Sequence, residues 1–200
     1  MIGFVSSRLI RPICLAMGLG VISASAWGQA VTLPDIEGAV IEVRLLRQQT
    51  IRREGQEVSN QAQTDMRVAI GSGGNIQISV TPTGHSKRGT RVGKPTSGTF
   101  VLDETRGMNI GGGGHGVWTF DSGTLTFLRI FKGGALKRTM AFARTAEGLT
   151  CQANENLVRE EGVKGVVTES PFDGVPIVIL SAKQISSTCR VTKQGRPTAQ

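Results

Sequence analysis

The chain has no tyrosine, two histidines (His85 and His115), three cysteines and, after residue 30, no apolar run near the roughly twenty residues that a membrane-crossing helix needs. Each scarcity removes a class of function. The two histidines have no second ligand at useful sequence spacing, so no metal centre is expected. No Cys-x-x-Cys pair occurs, which argues against a zinc ribbon or a dithiol redox centre. The absence of Gly-x-Ser-x-Gly removes the strand-to-helix nucleophile turn of the common hydrolases. Aromatic residues make up 4% of the chain, which limits any aromatic-lined ligand pocket. No cofactor is expected, and the reading leans away from an enzyme.

What is present begins with an address. Arg8 and Arg11 precede an uncharged run over residues 12–23 (PICLAMGLGVIS), followed by the small-residue triplets Ala24-Ser25-Ala26 and Gly28-Gln29-Ala30. That order predicts a cleaved secretory signal peptide over residues 1–30, cut after Ala30 or, second, after Ala26. Arg8 and Arg11 are separated by Leu9 and Ile10, which favours the general route over a twin-arginine one. Cys14 lacks the small-residue surroundings of a lipid-modified cysteine. Residues 31–200 would then form a single β-rich domain in the periplasm or outside the cell, with loose ends at 31–37 and 193–200. Cleavage takes two arginines and no acid, so Lys+Arg falls from 23 to 21 against 15 acids and the net charge is about +6.

With Cys14 removed, Cys151 and Cys189 are an even pair bound for an oxidising compartment, and a disulfide between them is expected.

Along the remaining chain, short runs of alternating apolar residues are separated by Gly, Asn and Asp turns, the pattern of antiparallel β structure. Ile41, Val43 and Leu45 share one face of a first strand. Met66, Val68 and Ile70 share a face, residues 71–75 reverse the chain, and Ile76, Ile78 and Val80 share a face on the return. A meander is expected over 117–144, turning at 121–123 and 132–134. Residues 154–161 (NENLVREE) contain good helix formers and predict one short helix stopped by Gly162. The expected fold is mainly β: a single antiparallel barrel-like or sandwich domain of about 8–10 short strands with at most one short helix. The barrel is preferred, because Leu125 and Phe127 on one face of a strand and Leu128 and Ile130 on the other require cover on both sides.

Three features are candidate sites. Thr119-Phe120-Asp121-Ser122-Gly123-Thr124 resembles the active-site signature of aspartic peptidases. That resemblance implies catalysis by Asp121 with a second aspartate from another copy of the chain, since two carboxylates must share a proton. The same residues also suit a hairpin turn with Gly123 at positive φ. The glycine-rich run 111–116 precedes a strand pattern instead of the helix that a phosphate loop requires, so it reads as a loop. Between Asp65 and Asp103 there is no acid, yet Arg67, Lys87, Arg88, Arg91 and Lys94 fall there. The basic loop 87–94 is the expected contact for an anionic envelope component or an acidic protein. Nucleic acid is not expected, because secretion removes the usual targets and the loop has no stacking aromatic. The alternative function is a small-ligand-binding β-barrel.

Overall fold

The computed structural model describes residues 30–87, 89–104, 106–107 and 115–193. A single short helix, α1 (Leu33–Ile36), precedes twelve strands among these residues. They are β1 (Ala39–Arg53), β2 (Gln56–Ile70), β3 (Asn75–Ser86), β4 (Gly89–Val92), β5 (Thr96–Val101) and β6 (Arg106–Gly107), then β7 (His115–Asp121), β8 (Thr124–Phe131), β9 (Gly134–Thr145), β10 (Gly148–Arg159), β11 (Val166–Glu169) and β12 (Pro176–Lys193). The fold is mainly β, as the alternation implied, but several strands run well beyond the short segments expected. Hydrogen bonding divides them into two sheets. One has the order β11-β12-β1-β2-β3-β4 with β5 also on β3, and the other has the order β10-β9-β8-β7-β6.

The hairpins follow from local chemistry. The β1–β2 turn is Glu54-Gly55 and the β7–β8 turn is Ser122-Gly123, each with both central residues at positive φ. That geometry matches the right-handed twist of the flanking strands, and glycine at the second position removes half of its steric cost. In the β2–β3 hairpin, Met66 faces Val80, Val68 faces Ile78 and Ile70 faces Ile76, which is the register the apolar pattern demands. Pro82 has no N–H to donate, and near it the outer neighbour of β3 changes from β5 to β4. Gly93, in the gap between those strands, donates to the Pro82 carbonyl at 2.8 Å.

The larger sheet curls into a half-barrel and the second sheet packs against it. Register shifts in the β1–β12 pairing at Leu46/Arg47 and Thr50/Ile51 add local twist to the long strands. The main core lies between the sheets. Trp118 stacks on Phe127 with ring centres 4.6 Å apart, and Phe100 meets Phe127 edge-on at 6.0 Å. Ile41, Val43, Leu45, Val68 and Ile76 close the opposite wall. Ile76 is fully buried, so Ile76→Val should cost about 0.5–1.5 kcal/mol. In chemical denaturation the midpoint should fall with no change in slope.

Three expectations are corrected. The preferred closed barrel is two separate sheets. Leu128 is only half-buried and Ile130 is 38% exposed, so the second face of β8 is left largely to solvent instead of being covered. The short helix expected over 154–161 is instead mostly strand β10, paired residue by residue with β9 from Gly148↔Thr145 to Arg159↔Gly134. Tertiary pairing overrides a weak helix propensity because Ala153 and Glu155 are both buried on one face of a strand. The first residues are not loose: Val31 and Ile36 are buried, and the Thr32 N–H and hydroxyl both donate to Asp35 at 2.8 Å. These bonds, with Arg144 beside the carboxylate, hold the Asp35 pKa down at about 2. Residues 194–200 lie outside the described residues.

Cys151 and Cys189 form the expected disulfide, with Cα atoms 5.5 Å apart, joining β10 to β12. These strands share no backbone ladder. Side chains complete the seam. Gln184 accepts from the Glu155 N–H at 2.6 Å, and Arg159 donates to the Leu180 carbonyl at 3.2 Å.

Candidate functional site

On several strands the inward-facing row is apolar at one end and then changes character. On β1 it runs Ile41, Val43, Leu45, Arg47, Gln49; on β8, Leu125, Phe127, Arg129, Phe131; on β9, Leu136, Arg138, Met140, Phe142; on β10, Cys151, Ala153, Glu155, Leu157. Register puts Phe127 opposite Arg138 and Arg138 opposite Glu155. The polar residues of four strands therefore meet as a charged layer inside the molecule. The large core lies on one side of it, and the smaller apolar cluster of Phe131, Leu136 and Val166 on the other.

Glu155 organises the layer. Its two carboxylate oxygens accept separately, from Arg47 Nη1 and from Arg138 Nε, each at 2.5 Å. Arg138 and Glu155 are each 5% exposed. Burial alone would raise the Glu155 pKa, but the two guanidiniums outweigh it and hold the carboxyl at about 2. Arg47 also donates to Gln49 at 3.0 Å. Arg129 lies over the Phe131 ring at 4.6 Å. Burial, reinforced by repulsion from Arg138 and Arg47, lowers its pKa to about 10.

Beside this layer is a cavity of about 120 Å³, walled by Arg47, Arg129, Arg138, Lys94, Phe127 and neighbouring residues. Its lining carries four cationic side chains and no carboxylate among the described residues. The wall combines these cations with the apolar side chains of Val80, Pro82, Phe127 and Pro171. The chain matches no family model, no curated protein and no solved structure.

The basic stretch is a β-hairpin more than a loop, and its residues have different roles. Lys87 is exposed in the turn between β3 and β4. Arg88 lies outside the described residues. Arg91 is tied down: it donates to the Phe172 carbonyl at 2.9 Å, lies over the Phe172 ring at 5.4 Å and is 3.6 Å from Asp173. Asp173 also takes Arg53 at 2.9 Å, so Arg91 helps to hold the β11–β12 connection against the hairpin. Lys94, in the gap between β4 and β5, lines the cavity. The linear cluster thus contributes one exposed residue to the cavity wall, one to an anchor and one to the hairpin tip.

Asp121 is exposed at the end of β7, and its carboxylate accepts from the Ser122 hydroxyl at 3.1 Å. The segment that resembles the peptidase signature forms the two-residue turn described above. His85 pairs with Thr90 across the basic hairpin at 3.0 Å, while His115 is exposed on β7 in the other sheet. Among the described residues no cluster of His, Cys, Asp or Glu could hold a metal ion. The glycine-rich residues 111–114 lie outside the described residues.

Arg47, Arg129, Arg138 and Glu155 were not among the residues singled out from the sequence. A signal for them existed. Each is a charged residue at an inward position of an otherwise apolar alternating strand, and such residues almost never bury without a partner. A search for charges on the apolar face of a strand pattern would have found all four.

Proposed function

We propose that this chain is a secreted or periplasmic β-rich binding protein that contacts an anionic partner on the side bearing the β3–β4 hairpin and the charged cavity. One observation carries the reading. Lys94, from the acid-free basic stretch, and Arg47, Arg129 and Arg138, from strands of both sheets, border the same cavity. Positive potential from the exposed hairpin attracts an anionic surface, and the partly enclosed cations act where screening by salt is weaker. Export is supported by the N-terminal pattern and is compatible with the Cys151–Cys189 bridge. No helix among the described residues is long and apolar enough to cross a membrane.

The test spares Arg91, which anchors Phe172 and Asp173. A K87S/R88S/K94S variant should be released from the envelope fraction at clearly lower salt than the wild type. Release at the same salt concentration would refute the contact. N-terminal sequencing of the protein recovered from the periplasm should begin at Val31, or at Trp27 for the second cleavage point.

A further inference from the structure

We infer that the turn between β11 and β12 is an autoinhibitory latch, in which Asp173 holds Arg53 and Arg91 in place of the anionic partner and is displaced when that partner binds. The inference rests on the function proposed above in one respect, that the basic hairpin side meets an anion, and it names how that contact is regulated.

The first observation is topological. β11 is one edge of the larger sheet and β4 lies at the other, yet residues 170–175, which follow β11, are seated on β3 and on the residue after β4. The Phe172 ring lies on Gly84, where a Cβ would be 3.0 Å from Cζ, and the Pro171 carbonyl lies against Gly93. The turn therefore bridges the two ends of the strand order. It is also a unit in itself. The Ser170 N–H donates to the Val175 carbonyl at 2.8 Å, and the Gly174 N–H to the Ser170 carbonyl at 2.9 Å. Such a turn lifts from its seat without losing its own hydrogen bonds.

The second observation is charge. Arg53 Nη1 and Arg91 Nη1 lie 2.9 and 3.6 Å from the same oxygen, Oδ2 of Asp173. Guanidiniums from β1 and β4 thus converge on one carboxylate oxygen, the geometry that an incoming oxyanion would meet. Arg53 also has Glu54 at 3.6 Å, and Arg91 donates to the Phe172 carbonyl at 2.9 Å. Asp173 is the carboxylate that joins the two.

The third observation is how lightly the turn is held. Asp173 and Arg91 are exposed and Phe172 is only half-buried. Exposed ion pairs are weak and screened by salt. An anion that takes both arginines binds only the lifted form, so its affinity shifts the latch directly. Pro171 is part of the cavity wall, so lifting the turn also opens the cavity.

The experiment measures binding of dextran sulfate to the full chain at fixed salt, with uncharged dextran as control. Asp173→Asn and Phe172→Ala should each bind about threefold more tightly than the wild type, because each raises the lifted fraction. Phe172→Ala leaves the net charge unchanged. Glu147→Gln, in the exposed β9–β10 turn of the other sheet, makes the same charge change as Asp173→Asn and should gain clearly less. Asp173 is exposed, so its variant carries the test if Phe172→Ala does not fold. By reciprocity, dextran sulfate should speed hydrogen exchange in the wild type at the Gly93 N–H, which is bonded to the Pro82 carbonyl beside Pro171. Equal gains in Asp173→Asn and Glu147→Gln, no gain in a folded Phe172→Ala, unchanged exchange at Gly93, or no binding by any of these proteins overturns the inference. The envelope-release assay changes Lys87, Arg88 and Lys94 and leaves the latch intact, so either proposal can fail while the other stands.

Discussion

Glu155→Ala should lower the free energy of unfolding by about 3–5 kcal/mol, the usual loss when one partner of a buried ion cluster is removed. The reason lies in what remains. Arg47 and Arg138 would each lose the carboxylate oxygen that accepts from them at 2.5 Å. They would stay in a layer that already repels Arg129. Urea denaturation of wild type and variant measures the difference, and a loss under about 1 kcal/mol would show that water compensates the layer. Replacing the cluster as a whole by apolar residues of similar volume should cost far less than this single change, because no charge is then left unpaired. The same carboxylate sets an acid limit. Its folded pKa of about 2 is below the ordinary value of 4.5. A depressed acid stabilises fully above the unfolded pKa and loses that contribution as pH falls through the folded one. Wild-type stability should therefore decline between about pH 4.5 and pH 2 by on the order of 3 kcal/mol from this group. Glu155→Gln should lack that component of the decline.

Breaking the Cys151–Cys189 bridge should cost about 2–4 kcal/mol. The closed loop spans 38 residues, for which the chain-entropy account gives about 4 kcal/mol. The position of the bridge matters as much as its length. It joins β10 to β12, where the two sheets meet without a backbone ladder and the seam otherwise depends on side chains such as Gln184 and Arg159. The double variant C151S/C189S, or the wild type in reductant, should melt lower by about 2–4 °C for each kcal/mol lost. Hydrogen exchange should show the largest loss of protection along β10 and the second half of β12. Exchange that rises evenly over both sheets would mean the bridge acts through the unfolded chain alone. An unchanged melting temperature would remove it as a stabilising element.

Much of the fold was legible because β structure writes a period of two into the chain. Ile41, Val43 and Leu45, and the facing rows Met66–Val68–Ile70 and Ile76–Ile78–Val80, are buried as their alternation requires. Turns at Glu54-Gly55 and Ser122-Gly123 are local events, set by which residues tolerate positive φ. The misread segment, residues 154–161, shows the limit of local reasoning. Its helix formers contribute tenths of a kcal/mol each, while pairing with β9 and the burial of Ala153 and Glu155 act on the whole strand. The site was less legible than the fold. Lys87, Arg88, Arg91 and Lys94 are conspicuous because they are close in sequence, yet Arg129 and Arg138 become neighbours only through the β8–β9 pairing, and Arg47 joins them only after the sheets pack.

Sequence alone determined the β alternation, the hairpin turns, the pairing of two cysteines and the acid-free basic interval, because each depends on neighbours along the chain or on a count of two. Tertiary structure alone decided that the strands form two sheets, that residues 154–159 extend one of them, and that Arg91 is an anchor while Lys94 lines a cavity. It also brought Arg47, Arg129, Arg138 and Glu155 into one layer. The physical reason is distance: the energy of a buried charge is set by the charges within a few ångströms of it. Here those charges lie up to 108 positions away along the chain.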